Sequence, residues 1–427
     1  MNYKETLQYI HSLLRFGSRP GLERIRILLE RLGNPQDKLK FIHVAGTNGK
    51  GSTTSMIAAA LSKAGYRTGQ YISPYVVEFR ERMQIDGEMI GKDELSALMD
   101  RVRPEIEAMA AKDEIITEFE AITAAAFLWF YERGCDIVCL EVGLGGRFDA
   151  TNVIGTPEAS VICSISLDHV EILGHTLSQI AMEKCGIIKP HGITVCYPLQ
   201  EPEALAVIME HAAESENLLV MGNFASAEIL EENMLGSRFV YRDMELELSM
   251  AGQHQIANAI TAVETLLALR SKGYALSDTA IKEGLASVRF PARMEVLSRS
   301  PLIVLDGAHN LSGMEAMERV VASLDKKVTV IMGMLSDKDY QACAALMAPH
   351  VKKFAAIRPE NPRALDPKVL ADLVRPYCQE TEAFESYDAA ISFAMEGLLP
   401  EDALFICGSL YLATSMREKM TAILQNR

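Results

Sequence analysis

The run His43-Val44-Ala45-Gly46-Thr47-Asn48-Gly49-Lys50-Gly51-Ser52 sets glycines, one lysine and a hydroxyl side by side. Glycines let several backbone N–H groups converge on a phosphate chain, and a following helix adds the positive end of its dipole. Lys50 can put a point charge on the outer phosphates, and a hydroxyl at Ser52 or Thr53 can face a bound magnesium. The chemistry this predicts is the spending of a nucleoside triphosphate. The spacing departs from the regular G-x-x-x-x-G-K-[ST] pattern. Only Thr47 and Asn48 separate Gly46 from Gly49, and Gly51 stands between Lys50 and Ser52. A glycine turn that binds nothing is the plain alternative, but a lysine inside such a turn has little structural use.

Further along, Glu141 closes an apolar stretch and is followed by Gly143-Leu144-Gly145-Gly146-Arg147-Phe148-Asp149. A carboxylate at the C-terminal end of a buried parallel strand is where such a sheet holds a metal near its ligand crevice. Magnesium prefers oxygen donors and keeps waters and phosphates in its shell. The competing use of Glu141 is an ion pair with Arg147. His169, in Leu167-Asp168-His169-Val170-Glu171, follows another apolar stretch and is a second ligand candidate. Lys184, in Glu183-Lys184-Cys185-Gly186, closes a helical stretch. On spacing alone it reads as a cation satisfying the helix dipole.

The C-terminal third offers three polar strand ends, which together make a crevice: Asp306 to Asn310, Gly333 to Asp339, and Gly408 to Tyr411. Asn258 and Arg293 fall between the two groups of motifs. An arginine there can reach phosphates, or it can close an interdomain salt bridge.

These residues need elements to hold them. Strands are expected at Phe41–Ala45, Gly69–Ile72, Ile137–Val142, Val161–Ile165 and Ile193–Tyr197. Helical stretches alternate with them, for example Thr53–Lys63, Thr123–Glu132 and Leu177–Cys185, and the alternation predicts a mainly parallel α/β sheet. Short alternating segments over Phe224–Met250 predict an antiparallel patch, followed by a helix over Asn258–Arg270. A second α/β series begins near Pro301, with strands at Leu302–Leu305, Val328–Met332, Lys353–Ile357 and Leu404–Cys407. The fold class is therefore α/β: an N-terminal, mainly parallel P-loop ATPase domain over 1–296 and a smaller, Rossmann-like domain over 297–427. The Ser298-Arg299-Ser300-Pro301 interruption suggests the boundary.

Composition sets outer limits. A chain of 427 residues is too long for one core. The net charge of −15 argues against a general nucleic-acid binder. No long apolar run and no signal-peptide pattern occur, so no membrane is expected. The eight cysteines include no C-x-x-C pair and read as reduced core thiols of a cytoplasmic protein. Cys185 is set apart by its place beside Lys184.

Taken in order, the motifs resemble those of the folylpolyglutamate synthase family, often bifunctional with dihydrofolate synthase, within the Mur-ligase-like superfamily. The matching pieces are Ala45 to Ser52, Ser73-Pro74 with Glu81-Arg82, Thr117 to Glu120, Glu141 to Asn152, Leu167 to His169, Glu183-Lys184, Asp306 to Asn310, Gly333 to Asp339, and Gly408 to Tyr411. The resemblance implies ATP held by Thr47, Asn48, Gly49, Lys50, Gly51, Ser52, Asn258, Arg293 and Asp306. It implies two magnesium sites served by Ser73, Glu141, His169 and Lys184, the last N6-carboxylated, which reverses its reading as a dipole cation. Ser18, Arg19, Pro20, Arg82, Thr117, Glu118, Phe119, Glu120, Phe148, Asp149 and Ala150 match the folate and pterin region. His309, Ser409 and Tyr411 match positions that place glutamate, and Lys50, Lys184 and His309 are the implied catalytic residues.

Two positions depart from the family pattern. Tyr75 stands where many relatives have His, and Ala292 where many have Gly.

The implied reaction is ATP-dependent ligation of L-glutamate to a reduced folate, and also to dihydropteroate, through an acyl phosphate in a monomer. One rival is another amide ligase of the superfamily. Those acting on UDP-linked precursors carry an extra N-terminal domain, and here the phosphate loop starts too early for one. A rival from another class is a nucleotide-gated binding protein.

Overall fold

In a computed structural model, residues 1–16, 21–324 and 326–425 are described. The eight-stranded sheet is built from β1 (Phe41–Ala45), β2 (Thr68–Tyr71), β3 (Met83–Ile85), β4 (Glu88–Met89), β5 (Ile137–Glu141), β6 (Ala159–Ile162), β7 (Ile193–Cys196) and β8 (Leu218–Met221). Its order is β4-β3-β2-β5-β1-β6-β7-β8. Every pair from β2 to β8 is parallel, and β3 and β4 add an antiparallel edge. All five residues of β1 are buried, as are all five of β5. That is why these strands read as unbroken runs and not as alternating ones.

β9 (Glu228–Asn233), β10 (Gly236–Tyr241) and β11 (Met244–Leu248) form a three-stranded sheet in the order β11-β10-β9. The third sheet contains β12 (Glu295–Arg299), β13 (Leu302–Leu305), β14 (Val328–Met332), β15 (Val351–Ile357), β16 (Thr381–Phe384) and β17 (Ala403–Cys407), in the order β12-β13-β17-β14-β15-β16. Only the β12–β13 pair is antiparallel. This is the α/β class expected, with a large mainly parallel sheet and a second, smaller one.

The chain divides into two compact units. The first comprises Met1–Glu228, Phe239–Glu247 and Ile256–Val288, and the second Ile229–Arg238, Leu248–Gln255 and Arg289–Arg427. The Ser298–Pro301 interruption is the turn of the β12–β13 hairpin, inside the second unit's sheet. A polar edge strand before a Ser-Pro turn carries the same local signals as a linker.

One strand expectation is corrected in a way that matters for the site. Val161–Ile165 was the expected span, but β6 ends at Ile162. The chain leaves the sheet there, and the Ser164 carbonyl instead accepts the backbone N–H groups of Thr47 (2.7 Å) and Asn48 (3.2 Å).

Candidate active site

The parallel order places the C-terminal ends of β2, β5, β1 and β6 side by side. From those ends run the segments carrying Ser73, Glu141, the glycine loop and His169. Val44 lies opposite Glu141, and Tyr71 opposite Leu140. Glu141 is therefore level with the start of the glycine loop on one side and the chain entering Ser73 on the other.

The loop itself is held tightly. The helix Lys50–Lys63 begins directly at the lysine, with Gly49 as its N-cap in the left-handed region at φ 82°. A Cβ on Gly49 would lie 2.3 Å from Asn258 Oδ1, so the helix Gln253–Ser271 presses Asn258 onto the loop. A Cβ on Gly46 would lie 2.6 Å from that of Cys163. Thr47 Oγ1 lies 3.1 Å from the Ser166 carbonyl, to which it donates, and the Ser166 N–H donates back to Thr47 Oγ1 at 3.1 Å. Lys50 Nζ donates to the Thr47 carbonyl at 3.3 Å. Ser52 is buried within the helix's first turn.

Gln200 is a residue that sequence reasoning missed. Its amide accepts from the Ile165 N–H at 2.9 Å and donates to the Cys163 carbonyl at 3.1 Å, bracing the segment that braces Thr47. A single glutamine in a loop gives no spacing signal.

Lys184, near the end of the helix Leu177–Cys185, is 4% exposed and donates from Nζ to the Gly46 carbonyl at 2.8 Å. Loss of hydration in this buried place, and then the charge of Lys50, push its ammonium down to about 7. Lys184 is thus no exposed dipole cation. Its helix end is seated by the glycine loop after β5: a Cβ on Gly146 would lie 2.8 Å from the Lys184 carbonyl oxygen, and one on Gly186 2.4 Å from Arg147 Cα.

Glu141 accepts the Ser73 N–H at 3.1 Å, and Ser73 Oγ accepts from Arg82 Nη1 at 3.3 Å. The Arg82 guanidinium lies 5.4 Å from the Tyr75 ring centre and 5.5 Å from that of Phe79. Tyr75 therefore serves as a platform for Arg82. Glu81 accepts the N–H groups of Val76 (2.8 Å), Val77 (2.8 Å) and Glu78 (2.7 Å), so its carboxylate shapes this segment. His169 sits at φ 49° and is exposed; its N–H donates to Asp168 Oδ1 at 2.8 Å.

Among the residues implied for folate, several have local duties. Thr117 and Glu120 form a capping box on the helix Glu118–Glu132, and Glu120 also pairs with Arg24 at 3.0 Å. Phe119 packs against Gly143, where a Cβ would lie 2.6 Å from the ring. Burial raises the carboxyl of Glu118, with Arg82 opposing that shift. Asp149 is buried and accepts from the N–H groups of Leu144 and Thr151, at 2.9 Å each. Ala150 is buried beside it, and Phe148 is 52% exposed. Ser18, Arg19 and Pro20 lie outside the described residues.

In the second unit, β13 and β17 are neighbours. Their ends bring Asp306–Asn310 beside Gly408–Tyr411, and the Gly408 N–H donates to the Ala308 carbonyl at 2.9 Å. Asp306 takes the N–H groups of Met294 and Ala308, both at 2.7 Å. Burial raises its carboxyl, with Arg293 opposing that shift. A Cβ on Gly307 would lie 3.3 Å from Arg293 Nη1, so the guanidinium lies against this turn. His309 Nδ1 lies 2.8 Å from the Gly307 carbonyl, so Nδ1 carries the proton. Ser409 is buried with Oγ accepting the Tyr411 N–H at 3.1 Å, and Tyr411 is 45% exposed.

Ala292 occupies φ 54° and is fully buried. Its strain, about 1–2 kcal/mol, would be relieved by glycine. Against that stand a buried methyl worth about 0.8 kcal/mol and glycine's greater freedom when unfolded, about 0.5–1 kcal/mol. Ala292→Gly is therefore expected to leave urea-unfolding stability within about 0.5 kcal/mol of the parent. A change beyond twice that would show the balance to be misjudged.

A phosphate-cradling loop on a parallel sheet, joined to a second α/β unit, is the architecture of a nucleotide-dependent ligase of the Mur type. Residues 44–266 match the Mur ligase middle domain, and residues 292–410 the Mur ligase glutamate ligase domain. The dihydrofolate synthase/folylpolyglutamate synthase of Bacillus subtilis is 36% identical, covering 98% of this chain and 99% of its own. A solved Mycobacterium tuberculosis folylpolyglutamate synthase, complexed with ADP and AMPPCP, superposes with a TM-score of 0.89 at 29% identity, over 98% of this chain and 99% of that one. A solved FPGS–AMPPCP–folate complex superposes at 0.85 with 34% identity, over 98% and 100%. The chain belongs to the folylpolyglutamate synthase/dihydrofolate synthase family.

Proposed function

We propose that this protein is an ATP-dependent ligase that joins L-glutamate to a reduced folate and, by the same carboxylate chemistry, to dihydropteroate. The observation that carries this reading is the convergence of the glycine loop, Lys50 and buried Lys184 at the ends of β1 and β5. It occurs in a chain that matches folylpolyglutamate and dihydrofolate synthases over nearly its full length.

A carboxylate oxygen of the acceptor attacks the γ-phosphorus of ATP, and ADP leaves. The amine of glutamate then attacks the acyl phosphate carbon, inorganic phosphate leaves, and the amine gives up its proton. Two anions must meet in the first step. Lys50 offsets their repulsion from the loop, and Arg293 is proposed as a second cation on the phosphates. The loop N–H groups orient the phosphates.

Thr47, Asn48, Gly49, Lys50, Gly51, Ser52, Asn258, Arg293 and Asp306 are the proposed ATP contacts. Asp306, with both oxygens on backbone N–H groups, serves chiefly to hold the turn that carries Arg293. Arg82, Thr117–Glu120 and Phe148–Ala150 are the proposed folate contacts. Within them Thr117, Glu120 and Asp149 act through the backbone they organise. The first unit carries the folate contacts and most of the nucleotide contacts, and the second unit the glutamate contacts.

Magnesium fits the donors present. Glu141 offers one strand-end carboxylate, and among the described residues no group of three or more His, Cys, Asp or Glu could hold a metal. One carboxylate supplemented by phosphate oxygens and water is the usual donor set for this ion. Ser73, Glu141, His169 and Lys184 would hold it at two sites, where it supplies neutralising charge to the transferring phosphoryl group. Lys184 joins that set as an N6-carboxylate. Its neutral amine adds to the carbon of carbon dioxide and loses a proton, a step open to it because the amine is buried beside Lys50.

The deciding assay is ADP release with ATP, magnesium and L-glutamate, comparing dihydropteroate with tetrahydrofolate. Turnover with both supports the full proposal, and turnover with tetrahydrofolate alone restricts it to polyglutamate synthesis. ADP release that needs neither acceptor nor glutamate would favour a nucleotide-gated binding protein.

His309→Ala is expected to raise the KM for glutamate by about 10–100-fold, the worth of one charge-assisted hydrogen bond, while the KM for ATP stays near the parent value. Unchanged glutamate kinetics would remove His309 from this role. No membrane or nucleic-acid partner is part of the proposal, and the working unit is a cytoplasmic monomer.

A further inference from the structure

β1 is apolar except for His43, which is fully buried. Its Nε2 lies 2.8 Å from Thr151 Oγ1. The Thr151 hydroxyl donates to Asp149 Oδ1 at 2.5 Å. A hydroxyl has one proton to give, so toward His43 it accepts, and the imidazole proton sits on Nε2. Nδ1 then carries only a lone pair and has no hydrogen-bond partner. Burial holds the ring neutral by pushing its protonation down to about 3. A buried acceptor left unmade costs about 1–3 kcal/mol. An aliphatic residue would fill this place in β1 without that cost, so packing alone does not account for His43.

The other end of the chain of bonds leads back to the nucleotide loop. The oxygens of Asp149 gather the N–H groups of Leu144 and Thr151, which close the glycine segment after β5 into a fixed turn. The Arg147 N–H in that turn donates to the Glu183 carbonyl at 2.9 Å, and Asn152 Nδ2 donates to the Gly186 carbonyl at 3.0 Å. These contacts bracket Lys184, whose Nζ donates to the Gly46 carbonyl at 2.8 Å. Gly46 follows His43 by three residues in the same strand and turn. The circuit closes: His43, Thr151, Asp149, the glycine turn, Lys184, Gly46.

We propose that His43, Thr151 and Asp149 are positioning residues that set the glycine loop and Lys184 in register with one another. None of the three is among the proposed nucleotide contacts. Their hydrogen bonds fix how far the β5 turn stands from β1, and so where Lys184 meets the loop. This inference rests on the nucleotide-loop reading above.

The test is calorimetric titration of the full-length protein with ADP, which needs neither folate nor glutamate. Thr151→Val keeps shape and removes the linking hydroxyl. It is expected to weaken ADP binding by about tenfold or more, as a displacement well under 1 Å suffices for such losses. Thr151→Ser restores the hydroxyl and is expected to stay within about threefold of the parent. His43→Leu, which keeps β1 apolar and buried, gives the same reading independently, and combining it with Thr151→Val is expected to add less than about twofold. Ile106→Ala, on the helix Lys92–Ala110, which carries no residue of this circuit, controls for lost stability.

ADP affinity within twofold of the parent in both Thr151→Val and His43→Leu would overturn the proposal. So would an equal loss in an Ile106→Ala protein of matched Tm, or full additivity of the two site variants. A parent protein that binds no ADP would overturn the nucleotide-loop reading and this inference with it, whereas a parent that binds ADP but ligates nothing would overturn only the ligase reading.

Discussion

Lys50→Ala is expected to abolish ADP formation, with turnover at saturating ATP falling by about a thousandfold or more. The cradle survives this change. Gly49 and Asn258 are packed against each other, and Thr47 is held chiefly by Ser164 and Ser166. Its single hydrogen bond, to the Thr47 carbonyl, is long at 3.3 Å. What disappears is the point charge at the outer phosphates, where attack by a carboxylate builds negative charge. Folding is expected to be nearly unaffected, so Tm separates this loss from unfolding. Substantial turnover in a folded Lys50→Ala protein would sink the assignment of the loop.

Lys184→Met should be comparably damaging to ADP release, by about a hundredfold or more, and it carries a second signature in stability. In protein whose Lys184 is unmodified, the fold holds this amine down to about 7, against an ordinary value of 10.5 in the unfolded chain. Between those two values the unfolded state binds more protons than the native state. Stability of the parent therefore rises with pH across that window, by up to about 1.4 kcal/mol per pH unit. Below the window both states are protonated and the parent bears the full cost of a buried ammonium. Methionine has no such cost. The stability advantage of Lys184→Met is thus expected to be greatest near pH 6 and to shrink toward pH 10, as read from urea midpoints. A difference independent of pH would mean that the folded protein holds no depressed amine at Lys184, as an ordinary amine or an N6-carboxylate would give.

The parallel sheets are legible because a strand buried on all sides leaves a nearly continuous apolar run, broken in Phe41–Ala45 by His43 and in Val328–Met332 by Thr329. Phe41–Ala45, Leu302–Leu305 and Val328–Met332 match the expected strands residue for residue. So does the helix Leu177–Cys185. The sequence pattern predicts a helix start at Thr53 after the glycine loop, yet the helix begins at Lys50. Its first turn holds Gly and Ser, which carry no apolar period. The β12 strand, Glu295–Arg299, was hidden for the opposite reason: an edge strand needs few apolar residues.

The site was legible at the level of motif and not of duty. Glu81, Glu120 and Asp149 stand in motif positions, but each carboxylate is occupied by nearby backbone N–H groups. Backbone satisfaction leaves no mark on spacing. The burial of Lys184 was equally invisible, since a helix-end lysine looks the same whether it faces water or the carbonyl of Gly46.

The loop's attachment to the middle of an eight-stranded sheet separates where the chain can vary from where it cannot. β4 is two exposed residues, and β8 is largely uncovered, so both margins open at little free-energy cost. β1 and β5, buried between them, open only when the whole unit does. Insertions and sequence drift at the margins are thereby insulated from the nucleotide loop. The fold can acquire new edges, new partners or altered surface charge without renegotiating the geometry of its phosphate cradle.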